Sequence, residues 1–506
     1  MLDHRFLSLV ILSLACAPSW AATASQWRSR SIYQVLTDRY ARNDGSTTAS
    51  CITGNRQYCN GTWNGIANHL DYIQNMGFDA IWISPITANI EGETAYGQAF
   101  HGYWQRDLYS VNPHFGTPQD LKNLSAALHA RGMYLMVDVV PNHNGWSGPP
   151  STVNYSSFNP FNSASDYHLP YCSVSYNFAN VTNTQDCWLG DQNVPLPDLK
   201  TEAPNVAQGY QTWIKELVAN YSIDGLRIDT AIYIDTDFWA GFEQAAGVYM
   251  VGEVFNGDPS FSCPYQKYLP GILNFPNYYN ATAAFSSTTG SMPQLAASIA
   301  RVQSLCQDVS LLGSFTENHD VTRFAFTNQD WSLAKNILTY TILGDGIPIV
   351  YQGQEQHYAA EGSGSTGGDP WNREALWYSD YNNNAELAVV VKAANAIRTR
   401  AGSVDAAYWT SKTQVLHTDS HNIVLSRGSV GKQILAVLTN AGSAAGSSTL
   451  QIQNSGFAQG AVVQDVIACG TTIIGYGGNM SVTTNGGVPV VYYPVSLLKG
   501  SGICGN

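Results

Sequence analysis

Three carboxylates stand at or just beyond the ends of apolar, strand-like runs: Asp229 in "IDGLRIDT", Glu253 in "YMVGEVF" and Asp320 in "LLGSFTENHD". A charge beside a buried strand is costly unless it is paired or solvated, so three of them need a chemical reason. Cleavage of a glycosidic bond supplies one, because it needs a carboxylic acid and a carboxylate flanking the bond and a site that stabilises an oxocarbenium-like transition state. Side chains alternate along an extended "GLRIDT", so Arg227 and Asp229 share one face while Leu226 and Ile228 share the other. An arginine on the same face favours the ionised form of Asp229, as a nucleophile requires. The apolar approach "YMVG" favours the protonated form of Glu253, as a general acid requires. Asp320, directly after His319, reads equally well as half of a metal site or as a loop cap.

The elements around these residues alternate. From about Ser31 to about residue 400, eight short apolar runs ("SIYQVLTDRY", "FDAIWISP", "GMYLMVDVV", "DGLRIDT", "GVYMVGEV", "GILNFP", "VSLLGSFTE" and "GIPIVYQGQ") are separated by longer segments. Several of these, such as "GIANHLDYIQNMG" and "TPQDLKNLSAALHARG", have helical period. The pattern predicts an α/β fold, a (β/α)8 barrel over 25–402, whose active site lies at the C-terminal ends of its strands. No Gly-rich dinucleotide fingerprint follows any run, which argues against an open doubly wound sheet. Residues 142–200 show no clear helix and are too long for a plain connection, so they are expected to form a subdomain inserted after the third strand. Over 403–506 alternating runs such as "NIVLSRG" and "KQILAVLTNAG", punctuated by Gly, Ser and Asn, predict an antiparallel β-sandwich.

Composition narrows the class. The chain of 506 residues is too long for one core. Only 12% of residues are charged, about half the usual share, and the net charge is −13. This balance argues against a nucleic-acid or anionic-membrane partner and suits a neutral substrate. Residues 1–24 read as a secretory signal: a polar start with His4 and Arg5, an apolar stretch too short to span a bilayer, and small residues with Ala22-Thr23-Ala24 as the best cleavage match. Of nine cysteines, Cys16 leaves with that signal and an even set remains, which implies disulfides in an oxidising compartment. Cys51 with Cys59 and Cys172 with Cys187 are close enough for local staples, and Cys469 is expected to pair with Cys504. Seven N-x-S/T sequons, at Asn60, Asn123, Asn154, Asn180, Asn220, Asn280 and Asn479, fit a secreted glycoprotein.

The ordered segments "MVDVVPNH", "DGLRIDT", "VGEVF" and "TENHD" resemble the signature regions of the α-amylase family, glycoside hydrolase family 13. "RSIYQVLTDRYAR", "GTWNGI", "YGQAFHGYW", "CWLGD", "DGIPIVYQGQEQHY" and "DPWNRE" resemble segments of its secreted fungal branch, and the similarity covers nearly all of the chain after the leader. The resemblance implies an endo-acting hydrolase of internal α-1,4-glucosidic bonds in starch and glycogen, monomeric and secreted. It assigns Asp229 as nucleophile, Glu253 as acid/base and Asp320 as the carboxylate that holds the distorted sugar. His143 and His319 match the histidines that bind sugar hydroxyls, and a neutral imidazole can both donate and accept. Tyr103 and Trp104 match an aromatic wall, Asp369 and Arg373 the non-reducing side of the cleft, and Arg227, Ile232, Tyr233 and Gly257 further substrate-binding positions. It implies bound Ca²⁺, with Asn142, Gln185, Asp198 and Tyr233 as ligand positions; hard oxygen donors suit that ion. It also implies a Cys263–Cys306 disulfide and a glycan on Asn220.

Three places depart from the family pattern. Gln185 stands where an acidic calcium ligand is expected, Ile232-Tyr233 replace a Lys-His pair beside the leaving-glucan subsites, and "HDVTR" replaces the usual Asn-Pro after the third carboxylate. The changes at Ile232-Tyr233 and "HDVTR" motivate an alternative within the same family, a maltogenic amylase or α-glucan transferase.

Overall fold

The structure, a computed structural model, describes residues 22–506, so nearly all of the expected leader lies outside the described residues. Ala22 and Thr23 belong to the fold. Ala22 is buried, its carbonyl accepts a hydrogen bond from the Tyr249 amide, and Thr23 starts the short helix Ala24–Trp27.

The eight apolar runs form eight strands: β1 Ile32–Val35, β2 Ala80–Ile83, β3 Tyr134–Val139, β4 Gly225–Ile228, β5 Tyr249–Gly252, β6 Gly271–Ile272, β7 Gly313–Ser314 and β8 Ile347–Tyr351. They pair in parallel in the order β6-β5-β4-β3-β2-β1-β8-β7, and a parallel bridge from Leu273 to Gly313 closes the ring. Two apolar layers result from the alternation along each strand. Ile32, Ala80, Trp82, Met136, Val251 and Ile349 fill the barrel. Ile81, Ile83, Leu135, Val137, Leu226 and Ile228 face outward against the helices, for instance Leu121, Leu124 and Leu128 of Pro118–His129. That helix begins as "TPQD" dictates: Pro118 takes the first turn, the Thr117 hydroxyl accepts from the Asp120 amide, and Asp120 accepts from the Thr117 amide.

Residues 142–200 stand between β3 and the helix Pro204–Tyr221 as mostly irregular chain, stapled by Cys172–Cys187. One α-helix, Val181–Asp186, forms where none was expected. Its sequence has no apolar period, but Asn180 caps it by accepting from the Asn183 amide. At the C-terminal end, a six-stranded antiparallel sheet packs through Val424, Leu435, Val437 and Val463 onto a two-stranded layer holding Ile452, Met480 and Val482. It docks on the barrel through Asn336, which donates to the Gly487 carbonyl and accepts from the Thr439 amide. The other three disulfides are Cys51–Cys59, Cys263–Cys306 and Cys469–Cys504. No helix among the described residues is long and apolar enough to cross a membrane.

Candidate active site

The three carboxylates meet at the C-terminal end of the barrel because the strand ladder carries on for one residue past β4 and β5. The Asp229 amide donates to the Val139 carbonyl (2.9 Å), and the Glu253 amide donates to the Ile228 carbonyl (2.8 Å). Between them lies the fully buried Arg227. Its Nη1 contacts Asp229 at 2.7 Å and Asp138 at 3.0 Å, and its Nη2 stands 3.1 Å from Glu253. One guanidinium thus serves three carboxyl groups, which cannot all be ionised cheaply in a buried site. The proton falls to Glu253. Burial, reinforced by the charges of Asp229 and Asp320, raises its pKa from 4.5 to about 8 against the pull of Arg227. Thr230 adopts a left-handed φ of 50°, rare for a β-branched residue, and this turn aims its amide at Glu253 Oε2 (2.9 Å).

Asp138 is the residue that the sequence reading left out. It is buried on the inner face of β3 and accepts from Arg227, from Trp82 Nε1 (3.1 Å) and from the Tyr103 hydroxyl (2.7 Å). Burial pushes its carboxyl up, while the hydrogen bonds from Arg227 and Tyr103 favour the charged form. A charge inside "MVDVV" is the same signal that singled out Asp229, placed two residues deeper in the run.

Asp320 is the most accessible of the trio, its side chain 33% exposed. His319 Nε2 lies 3.1 Å from one of its oxygens and Arg373 Nη2 3.3 Å from the other. Gln34 donates across the barrel to His319 Nδ1 (2.8 Å), which leaves the ring proton on Nε2, toward Asp320. Burial, with Arg373 and Arg227 nearby, holds His319 well below its ordinary pKa, so it is neutral. The Tyr103 ring stacks on it at 5.2 Å, nearly parallel. His143 is likewise kept neutral by burial and lies 3.2 Å from the Tyr103 carbonyl.

Asp229, Asp320, His143, His319 and Tyr103 wall a cleft of about 330 Å³ that also takes in Trp104, Asp369 and Arg373, with Arg373 paired to Asp369 at 3.1 Å; Glu253 lies behind that wall, against the Thr230 amide. His101, Arg56 and Tyr96 line it too. His101 lies within "YGQAFHGYW" without having been singled out. Ile232 is not brought into the cleft: it is 1% exposed and packs with Val174 and Cys187 of the inserted segment. Tyr233 is buried in the same cluster, and Gly257 is exposed against the ring of Tyr279. Asn220 is exposed in the last turn of Pro204–Tyr221.

Asn142 and Asp198, at the two ends of the inserted segment, are both buried and joined by an Asn142 Nδ2 to Asp198 Oδ1 bond of 2.8 Å. His168 Nδ1 holds the other Asp198 oxygen at 2.8 Å, and Gln185 Nε2 donates to the Ile234 carbonyl. Among the described residues no group of three or more His, Cys, Asp or Glu side chains is arranged around a metal position. One carboxylate with amide and backbone oxygens is nevertheless a donor set of the chemistry calcium takes.

Residues 34–413 match the family described as alpha amylase, catalytic domain, and residues 415–506 the family of alpha-amylase domain C. The chain belongs to the α-amylase family. Alpha-amylase 1 of Schwanniomyces occidentalis is 48% identical to this α-amylase, over 96% of this chain and 93% of its own. The alpha-amylase of Saccharomycopsis fibuligera is 46% identical, over 95% and 94%. A solved α-amylase from Malbranchea cinnamomea has a TM-score of 0.91 and 51% identity, covering 96% of this chain and 100% of its own. An α-amylase from Geobacillus thermoleovorans, solved in complex with acarbose, has a TM-score of 0.78 at 26% identity, covering 92% and 98%. This α-amylase is therefore a glycoside hydrolase with a (β/α)8 barrel and a C-terminal antiparallel domain.

Proposed function

We propose that this α-amylase cleaves internal α-1,4-glucosidic bonds of starch and glycogen with retention of configuration, as a secreted monomer. The observation that carries the mechanism is the single buried Arg227 shared by Asp138, Asp229 and Glu253. Its shortest contact is to Asp229, whose carboxylate attacks the anomeric carbon, forming a glycosyl ester as the bridging C–O bond breaks. Glu253, whose proton is held by burial, gives that proton to the departing oxygen. The resulting Glu253 carboxylate then takes a proton from water, which attacks the anomeric carbon and displaces the Asp229 carboxylate. Asp320 and the neutral His319 and His143 receive sugar hydroxyls, and the Tyr103 and Trp104 rings cover a sugar face. Asn142, Asp198, Gln185 and Tyr233 are the residues that would hold calcium. When bound, the ion supplies positive charge beside buried Asp198 and ties the inserted segment to the barrel.

A chromatographic time course on soluble starch tests this. Mixed oligosaccharides early in the reaction are expected. Accumulation of longer products from short maltooligosaccharides would instead mark a transferase.

A further inference from the structure

A second concavity of about 730 Å³ lies beside the cleft, on the same end of the barrel. Its walls are the turn Cys51–Asn55, closed by the Cys51–Cys59 disulfide, and the chain that follows β8. Both also wall the cleft: Arg56 follows Asn55 directly, and Asp369 and Arg373 flank Trp371. The Trp371 ring is part of the wall of this second concavity. A Cβ at position 54 would stand 2.8 Å from that ring and one at position 362 would stand 2.9 Å away, so glycine at both places lets the two loops close upon it.

The groove carries exposed apolar side chains that are held in place. Tyr378 is 49% exposed, yet its hydroxyl accepts from the Cys51 amide at 2.6 Å, so the ring cannot swing away. Ile52, the residue after Cys51, is 60% exposed. His357 sits at a left-handed φ of 60°, with Trp331 packed on it at 4.1 Å, and its buried Nε2 has no hydrogen-bond partner. No Lys or Arg lines the groove, which argues against an anionic ligand. Of its carboxylates, Glu374 is already committed to Arg323 and the Ala360 amide. Fixed rings beside hydroxyl and amide groups suit a neutral ligand with one apolar face and many hydroxyls.

We propose that this groove is a second α-glucan site, seating a segment of the polymer on Tyr378 and Ile52 beyond the Asp369–Arg373 side of the cleft. It rests on the reading of the cleft as an α-glucan site and adds a hold on long substrates that short ones cannot use.

The test pairs Tyr378→Ala with Ile52→Ser and compares a chromogenic maltotrioside, which fills the cleft alone, with granular starch. Turnover of the maltotrioside is expected to stay within about twofold. Adsorption to granular starch should fall roughly threefold to tenfold, the range of one aromatic contact. Tyr378→Phe, which keeps the ring, should adsorb like the parent. Unchanged adsorption in the double variant overturns the proposal, as does an equal loss on both substrates, which would make the ring a support for the cleft. Failure of the parent enzyme to cleave the maltotrioside would count against the cleft's own assignment instead.

Discussion

Replacing Asp138 by asparagine keeps its shape and removes its charge. Oδ2 accepts from Trp82, Tyr103 and Arg227 together, so the amide turns to keep its oxygen there and presents its NH₂ to Arg227, where Oδ1 accepted at 3.0 Å. One charge-assisted bond is lost, about 1.5–3 kcal/mol. A fully buried guanidinium also loses one of its counter-charges, and breaking such a pair costs about 3–5 kcal/mol. Asp229 still pairs with Arg227, so the lower end applies: we expect about 3 kcal/mol of lost stability. Urea unfolding followed by tryptophan fluorescence reads it, with Trp82 adjacent to the change. Because Arg227 also positions Asp229 and Glu253, kcat/KM on starch should fall more than about tenfold. A variant less than about 1 kcal/mol weaker with full activity would refute the claim that Asp138 anchors the arginine.

The pKa of Glu253 is raised from 4.5 to about 8, so the folded protein keeps a proton that the unfolded chain gives up. Its contribution to stability is full below about pH 4.5 and is lost as pH rises toward about 8, at up to about 1.4 kcal/mol per pH unit. Glu253→Gln should flatten this slope in denaturation curves taken across that window, while starch cleavage falls by orders of magnitude; an unchanged slope contradicts the assignment. Calcium at about 100 times its Kd should stabilise the fold by about 2.7 kcal/mol, and chelation should lower the melting temperature accordingly. An unchanged melting temperature would speak against a clamp at Asn142 and Asp198. Ile232→Ala should cost about 2–5 kcal/mol through the cavity it leaves against Val174 and Cys187. A change in product pattern without a change in stability would instead place Ile232 against sugar.

The strands were legible because each is a run of apolar residues with a sharp polar edge, and the carboxylates because a charge at such an edge stands out. Asp138 carries the same mark inside a run rather than at its end, where it does not stand out. The bond from Gln34 to His319 joins β1 to the loop after β7, 285 residues apart, and nothing local announces it. Ile232 was placed by the role of the residues it replaces; its own apolar side chain instead joined the cluster under the inserted segment. The helix Val181–Asp186 escaped because its cap and the nearby disulfide, not an apolar face, hold it.

The central claim is that Asp229 becomes covalently bound to the sugar. Glu253→Gln treated with α-maltosyl fluoride, whose leaving group needs no acid, should accumulate the ester, and peptide mass spectrometry after acid quench should find a maltosyl increment on the segment containing Asp229. Fluoride release with no increment on Asp229 would contradict the account.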